Sequence, residues 1–141
     1  MKIPTMIRYG VRMVVMLAQE RKIMNTVELA SSMGVSSLYL RQLALPLEKM
    51  GIIRGFRGPK GGYLLAVNPE EITMFEIIQA FDEDFCLLEC IENPDSCAQS
   101  VTCTSRHLWK DVSELIQNTL KNTTLNDLLH KERWGNEEKE E

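Results

Sequence analysis

The sequence lacks any long apolar run. No uninterrupted apolar stretch approaches the roughly 20 residues that a membrane-spanning helix needs. The apolar N-terminus contains Arg8 and Arg12 and has no small-residue cleavage site, so it is not typical of a signal peptide. We therefore expect a cytoplasmic protein without a membrane partner, in a compartment where disulfides are rare.

Signatures of catalysis are also missing. The chain has only two histidines, no Ser/His/Asp combination, and no glycine-rich loop between a strand and a helix. Its 141 residues suffice for one buried core but are short for two. These absences indicate a small binding protein and not an enzyme.

Acidic residues are scarce in the first half of the chain. Residues 1–67 contain 10 Lys and Arg against 3 Asp and Glu, a net charge of +7. Residues 68–141 contain 6 and 17, a net charge of −11, and together the halves give −4. A basic half suits a polyanion, although an ordinary bipolar surface would give the same counts.

Three helical segments are predicted in the basic half. The first covers residues 5 to about 19, the second ends at Gly34, and the third runs to Met50. Capping residues precede the last two: Asn25 or Thr26, then Ser36 or Ser37. A turn of about three residues that contains glycine joins these two helices, which is the signature of a helix-turn-helix.

The third helix has two distinct faces. Its apolar face is predicted to hold Leu40, Leu43, Leu47 and Met50. The residues expected to meet DNA are Ser36, Ser37, Tyr39, Arg41 and Gln42. Arg pairs best with guanine and Gln with adenine. Pro46 predicts a kink or an early 3₁₀-like end, because it lacks a backbone donor.

A glycine-rich hairpin is predicted next. Residues 52–54 and 63–65 resemble short strands, and RGPKGG forms the turn between them. A hairpin after a helix-turn-helix is a wing, so Arg57, Gly58 and Lys60 are expected at phosphates or in a minor groove.

The second half contains three further helical patterns. Thr73 and Glu76 form a capping box, Thr104 or Ser105 is expected to cap a long helix, and Thr124 a last short one. The long helix has an apolar stripe of Leu108, Val112, Leu115, Ile116 and Leu120, with Trp109 beside it. Such a helix needs a partner surface, and the same helix of a second subunit would supply it. Residues 131–141 are predicted to be a disordered acidic tail.

Four cysteines and one histidine cluster between residues 86 and 107. The spacing is C-x3-C-x6-C-x5-C through Cys86, Cys90, Cys97 and Cys103, and His107 follows. These nearly even gaps favour an iron–sulfur cluster over zinc, whose ligands usually come in close pairs. A disulfide sensor is disfavoured because the acidic residues nearby raise thiol pKa values.

Several motifs together resemble the Rrf2 family of bacterial transcription regulators. The matching runs are IRYGVRMVVMLA, SSLYLRQL, MGIIRGFRGPKGGYLLA, EITMFEIIQAFD, HLWKDV and NTTLNDLL, across about residues 1–130. The resemblance implies a homodimer that binds palindromic double-stranded DNA. It also implies a cluster, [2Fe-2S] or [4Fe-4S], on Cys90, Cys97 and Cys103.

The fourth cluster ligand stays open. Some family members have a histidine three residues after the last cysteine, where this chain has Arg106. His107 is favoured over Cys86, because Cys103 and His107 would share a helix face. A carboxylate or an open iron site are the other choices. Arg41 also departs from the glutamate found in some members, which puts the operator in question.

The expected fold is mainly α, a winged helix-turn-helix followed by a long dimerisation helix. The expected domains are residues 1–81 for DNA binding, 82–103 for the cluster loop, 104–130 for dimerisation and 131–141 for the tail. The expected function is transcription regulation, as a repressor, controlled by a cluster that senses redox stress, nitric oxide or iron. The alternative is a winged-helix regulator with a structural zinc or a cluster-free thiol site.

Overall fold

The structure is a computed structural model that describes residues 2–83, 85 and 87–130. Cys86 and the predicted acidic tail lie outside these residues. The helices are α1 (Thr5–Glu20), α2 (Thr26–Met33), α3 (Ser37–Lys49), α4 (Met74–Gln79), α5 (Glu89–Glu92), α6 (Ser105–Lys121) and α7 (Leu125–His130). The strands are β1 (Ile53–Phe56) and β2 (Gly62–Leu65), and Pro94–Ser96 form a 3₁₀ turn. The predicted architecture, mainly α with a hairpin wing, is confirmed.

Helix α1 forms the centre of the core. Its buried face includes Met13, Val14 and Leu17, and it contacts α2, α3, α4, α7 and β2. Arg8 and Arg12 lie exposed on its opposite face, which their i, i+4 spacing places side by side. The helix therefore has one face in the core and a basic face on the surface.

The helix-turn-helix begins and ends at capping residues. The side chain of Asn25 accepts hydrogen bonds from the amides of Val27 and Glu28, at 2.8 and 3.3 Å. Gly34 ends α2 in the left-handed conformation, with φ of 69°. The hydroxyl of Ser36 then accepts from the amide of Tyr39 at 3.1 Å and begins α3. Of the alternatives that the sequence left, Asn25 and Ser36 are the caps.

Helix α3 differs from its prediction near its end. Leu40, Leu43 and Leu47 are fully buried, as predicted, but Met50 is 53% exposed. The helix ends at Lys49, so Met50 leaves the apolar face. The early end predicted at Pro46 is wrong: the helix continues, and the Pro46 carbonyl accepts from the Met50 amide at 3.1 Å.

The wing is fixed on two sides. Strands β1 and β2 pair antiparallel, with Ile53 opposite Leu65 and Phe56 opposite Gly62. In addition, Met24 and Tyr63 exchange two backbone hydrogen bonds of 2.9 Å each. This second pairing ties the wing to the segment that precedes α2. No local sequence pattern predicts the pairing of Met24 with Tyr63.

The chain returns to the core at its end. The Met74 amide donates to the Thr123 carbonyl at 2.8 Å, and the Leu125 amide donates to the Ile72 carbonyl at 3.0 Å. Leu125 is fully buried in the same core as α1. The predicted cap of α4 is confirmed, because the Thr73 hydroxyl accepts from the Glu76 amide at 3.2 Å. The predicted cap of α7 is confirmed as well, because the Thr124 hydroxyl accepts from the Asp127 amide at 3.2 Å.

Helix α6 has its apolar residues on two faces. Ile116 is half-buried against the body of the protein, next to the buried Ser113. Leu108 and Leu115 point away from the body and are 56% and 69% exposed. The predicted single stripe is therefore divided. The predicted side-chain cap is wrong as well, because Thr104 has helical φ and ψ of −64° and −39° and makes no capping hydrogen bond.

Gly62 allows the close approach between the wing and Met24. A Cβ at this position would lie 2.0 Å from the Met24 carbonyl oxygen, and φ is 153°. We expect Gly62→Ala to lower the free energy of unfolding by about 1–3 kcal/mol, because backbone on both sides must move. Urea denaturation measures the change. Lys60→Ala, an exposed change in the same hairpin, is the control, and equal stability of the two variants would contradict this contact.

Candidate nucleic-acid interface and cysteine segment

The outer face of α3 presents side chains that can reach base edges. Arg41 and Gln42 are exposed there, one turn after the Ser36 cap. Leu38 and Leu45 lie on the same face and are 67% and 66% exposed. These leucines are not among the residues predicted to meet DNA, although their i, i+7 spacing around Arg41 places them on the same face.

Tyr39 connects α3 with the basic surface of α1. It is half-buried, and its ring meets the ring of Tyr9 edge-on with 6.0 Å between centroids. The Arg12 guanidinium lies over the Tyr9 ring, 5.0 Å from its centroid. The Tyr39 ring therefore packs against α1, and Arg12 contacts the tyrosine that Tyr39 packs on.

The tip of the wing is exposed and positively charged. Arg57, Gly58 and Lys60 are all exposed, and the turn is closed by a hydrogen bond of 2.9 Å from the Gly61 amide to the Gly58 carbonyl. Gly58 has φ of 98°, which favours glycine. This tip can approach a phosphate backbone without obstruction by large side chains.

Tyr63 lies where α3 meets the wing. Burial raises the pKa of its phenol, the Glu48 carboxylate raises it further, and the Arg41 guanidinium lowers it. Tyr63 is therefore neutral at physiological pH. The two charged side chains that act on it both belong to α3, so Arg41 lies close to the base of the wing.

The predicted metal ligands are distributed along one segment. Cys90 lies in α5, Cys97 follows the 3₁₀ turn, Cys103 precedes α6, and His107 is in its first turns. Cys97 and His107 are exposed, whereas Cys90 and Cys103 are half-exposed. Within residues 2–83, 85 and 87–130, no three His, Cys, Asp or Glu side chains form a metal-binding group. The structure thus does not bring the predicted ligands together.

A hydrogen bond of Arg106 joins α6 to the cysteine segment, residues 87–103. The Arg106 Nε donates to the Cys90 carbonyl at 3.0 Å, across sixteen residues of sequence. Arg106 is not a possible metal ligand, and its guanidinium instead joins two parts of the chain. Within the segment, the Ser100 hydroxyl donates to the Pro94 carbonyl, and the Asn93 side chain accepts from the Asp95 amide at 3.3 Å. The hydrogen bond of Arg106 thus connects the backbone at Cys90 with the start of α6.

Cys103 contradicts the expectation that the acidic segment raises thiol pKa values. Its Sγ lies 3.1 Å from the Ser105 hydroxyl. The hydrogen bond from Ser105 lowers the pKa of the Cys103 thiol, and the Arg106 amide adds to this effect. Hydrogen bonds at the start of α6 outweigh the opposing effect of desolvation on this thiol. The sequence motif C-x-S did not reveal this, because the contact depends on the local backbone path.

A pocket of about 590 Å³ lies beside α6. Its walls include Phe85 from the loop after α4, and Trp109, Ser113 and Ile116 from α6. Next to it, the Gln117 side chain donates a hydrogen bond to the Phe85 carbonyl at 3.3 Å, so α6 remains joined to this loop. Because close packing resists displacement of a helix, the part of α6 that faces the pocket is held less tightly than the buried face of α1.

A helix-turn-helix followed by a two-stranded wing makes this chain a winged-helix protein. The sequence model of the Rrf2 family, described as an iron-dependent transcriptional regulator, matches residues 3–131. The chain belongs to the Rrf2 family, as the sequence analysis predicted.

Three relatives illustrate the similarity. The chain is 37% identical to the transcriptional regulator IscR of Pectobacterium atrosepticum over 103 residues, which are 73% of this chain and 62% of that protein. The structure of CymR, the global cysteine regulator of B. subtilis, superposes with a TM-score of 0.77 at 29% identity, covering 93% of this chain and 98% of CymR. The oxidized form of CymR from Staphylococcus aureus gives 0.72 at 33% identity, covering 92% and 96%. These relatives are regulators, so the prediction that the chain is not an enzyme is confirmed.

In the part of the chain that the structure describes, no helix is both long and apolar enough to span a bilayer.

The lowered pKa of Cys103 predicts a pH profile. Alkylation requires the thiolate, so Cys103 in chelator-treated protein should react with iodoacetamide at lower pH than an ordinary thiol does. Ser105→Ala removes the largest stabilising contact, raises the pKa and should move the profile to higher pH. Mass spectrometry of the labelled peptide measures it. Thr104→Ala, which removes a neighbouring hydroxyl without a capping bond, should leave the profile unchanged. A profile equally unmoved by Ser105→Ala would remove Ser105 as the cause.

Proposed function

We propose that this protein is a homodimeric transcription regulator that binds palindromic operator DNA, and that an iron–sulfur cluster on Cys90, Cys97 and Cys103 controls its affinity. The observation that carries the DNA-binding part is the presence of exposed cations on α3 and on the wing, which follow one another directly and are joined by contacts between α3 and β1.

The exposed outer face of α3 supports its placement in the major groove. Its exposed Arg41 and Gln42 follow the capped N-terminus, which is the part of such a helix that reaches base edges. Arg57 and Lys60 at the wing tip then contact the phosphates or the adjacent minor groove. The net charge of +7 in residues 1–67 favours association with DNA over other partners.

The outward face of α6 supports a dimer. Leu108 and Leu115 are more than half exposed on this face, Trp109 beside them is 41% exposed, and apolar side chains exposed together on one helix favour a protein contact. The same helix of a second copy covers them symmetrically. The symmetric pair then presents two copies of α3 to two half-sites.

The side chains of the cysteine segment are chemically suitable for a cluster. Cys90, Cys97 and Cys103 are free thiols, and the hydrogen bonds to Cys103 favour the thiolate that iron binds. When bound, a cluster supplies an iron–thiolate centre that oxygen, nitric oxide or iron shortage can remove. Because the described ligands are spread along the segment, the segment must close to hold it. His107 and Cys86 remain the candidates for the fourth ligand.

Closure of the segment would reach the DNA-binding unit through α6. Arg106 joins the Cys90 carbonyl to the first turn of α6, and the cavity beside Trp109 and Ser113 gives this helix room to shift. A shift of α6 in a dimer changes the distance between the two copies of α3. Coupling of about 1–3 kcal/mol would change DNA affinity roughly 5–150-fold.

A cluster-free thiol switch is the second candidate. The lowered pKa of Cys103 favours it, since thiolates are the oxidisable form. A solved relative, CymR of Staphylococcus aureus, is described in an oxidized form. Iron and acid-labile sulfide in oxygen-free preparations distinguish the two candidates: the thiol switch contains neither.

Removal of one wing cation tests the DNA-binding surface. Arg57→Ala should weaken DNA binding and reduce the slope of log affinity against log salt by about 1, because one phosphate contact fewer releases one counterion fewer. Fluorescence anisotropy at several salt concentrations measures both. Lys110→Ala removes the same charge from exposed α6 and should leave the slope unchanged. An Arg57→Ala slope equal to wild type at every concentration would take the wing out of the interface.

Removal of one thiol tests the cluster. Cys97 is exposed, so after chelator treatment of both proteins Cys97→Ala should have a free energy of unfolding within about 0.5 kcal/mol of wild type. The same variant should lose iron and acid-labile sulfide in anaerobic preparations. Val101→Ala, in the same segment and 89% exposed, should keep both. Full iron and sulfide content in Cys97→Ala would show that Cys97 is not a ligand.

A further inference from the structure

The outer face of α3 carries two apolar side chains that the core does not use. Leu38, Arg41, Gln42 and Leu45 follow one another at i, i+3, i+4 and i+7 and therefore form one stripe. Leu38 and Leu45 are 67% and 66% exposed, whereas Leu40 on the opposite face is fully buried. Neither exposed leucine contributes to the hydrophobic core.

The position of Leu38 within α3 distinguishes it from Leu45. Leu38 is the second residue of the helix, directly after the Ser36 cap and Ser37. Leu45 lies seven residues later, about 10 Å further along the axis. In a helix that enters the major groove, the N-terminal residues reach the base edges. Leu38 is therefore at the reading end of the helix, and Leu45 is beyond it.

A leucine side chain has no hydrogen-bonding group, so only apolar surface on a base can recognise it. In the major groove of DNA that surface is the C5 methyl group of thymine; the other edges present donors and acceptors. Neighbouring side chains do not compete for it, since Tyr39 packs against Tyr9 and Leu40 is buried.

We propose that Leu38 reads the C5 methyl group of a pyrimidine, so that the operator half-site requires thymine, or equally 5-methylcytosine in its place, at one position. This inference rests on the proposed DNA-binding function. Arg41 and Gln42 lie about one helical turn from Leu38, or roughly 5 Å along the axis. The methylated pyrimidine therefore lies within one or two base pairs of the purine that Arg41 or Gln42 contacts.

The test uses the full-length protein and a duplex that it selects from a random-sequence pool. Each thymine of the selected half-site is replaced in turn by deoxyuridine, which lacks only the methyl group. Loss of one buried methyl contact should weaken binding about fourfold per half-site, and roughly sixteenfold when both half-sites are changed. One position should show this effect. Replacing that thymine with 5-methylcytosine, opposite guanine, should preserve more affinity than replacing it with cytosine.

Variants of the two leucines assign the effect to one side chain. In Leu38→Ala, duplexes with thymine and deoxyuridine at that position should bind equally. In Leu45→Ala, matched in residue type, exposure and face, the fourfold preference should remain. Both side chains are exposed, so both variants should fold as wild type does.

Three results would overturn the inference. Two of them leave the proposed DNA-binding function intact, and the third contradicts that function as well. If every deoxyuridine duplex binds as tightly as its thymine parent, no methyl group is read. If the preference survives in Leu38→Ala, another residue reads it. In both cases sequence-specific DNA binding stands. If the protein selects no sequence from the pool, the proposed function is lost together with the inference.

Discussion

The contact between the wing and the segment before α2 is the constraint on which the DNA-reading surface depends. Met24 and Tyr63 exchange two backbone hydrogen bonds, and the neighbouring Gly62 leaves no space for a side chain between the two segments. Because backbone meets backbone, neither segment can move without breaking the pairing. Helix α3 is joined to the wing separately, by its contacts with β1 and by the hydrogen bond of 3.0 Å from the Ile52 amide to the Leu47 carbonyl. With the wing held on both sides, the cations of α3 and of the wing lie on one connected unit.

The cysteine segment, in contrast to the wing, has few contacts with the rest of the protein. Its helix α5 has four residues and no buried side chain, and it reaches α6 through the hydrogen bond from Arg106 to Cys90. Beside α6, a cavity of about 590 Å³ replaces the close packing found around α1. A well-packed reading unit and a loosely held regulatory segment suit a protein in which a chemical signal repositions subunits without altering the surface that reads DNA. The proposed regulation follows from this contrast.

Local chemistry explains which features the sequence alone predicts. The caps of α2 and α3, the glycine that separates them and the capping boxes at Thr73 and Thr124 all depend on residues within four positions of each other. The features that escaped prediction are non-local. The Met24–Tyr63 pairing spans 39 residues, and the Tyr9–Tyr39 contact depends on how α1 crosses α3. The spacing of the apolar residues of α6 predicts a single apolar face. In the structure, some of these side chains pack against the body of the protein and others are exposed, and the sequence alone does not show which side chains are buried.

The cysteine chemistry shows the same limit. The acidic residues near the thiols predict raised pKa values, yet the pKa of Cys103 is lowered, chiefly by the hydrogen bond with the Ser105 hydroxyl. This hydrogen bond depends on the backbone path before α6, which residue spacing does not reveal. Sequence spacing identifies the three thiols and the candidate DNA-binding helix, but the proposed coupling between them rests on Arg106 and on the pocket beside α6, which spacing does not reveal.

The central claim is that the state of the cysteine segment sets the affinity for DNA. The most direct test measures the affinity of one anaerobic preparation for its selected operator before and after removal of iron by a chelator, at fixed salt. The account predicts that the protein contains iron and sulfide and that the two affinities differ by roughly 5–150-fold. Equal affinities, or a preparation that never contained iron, would contradict it.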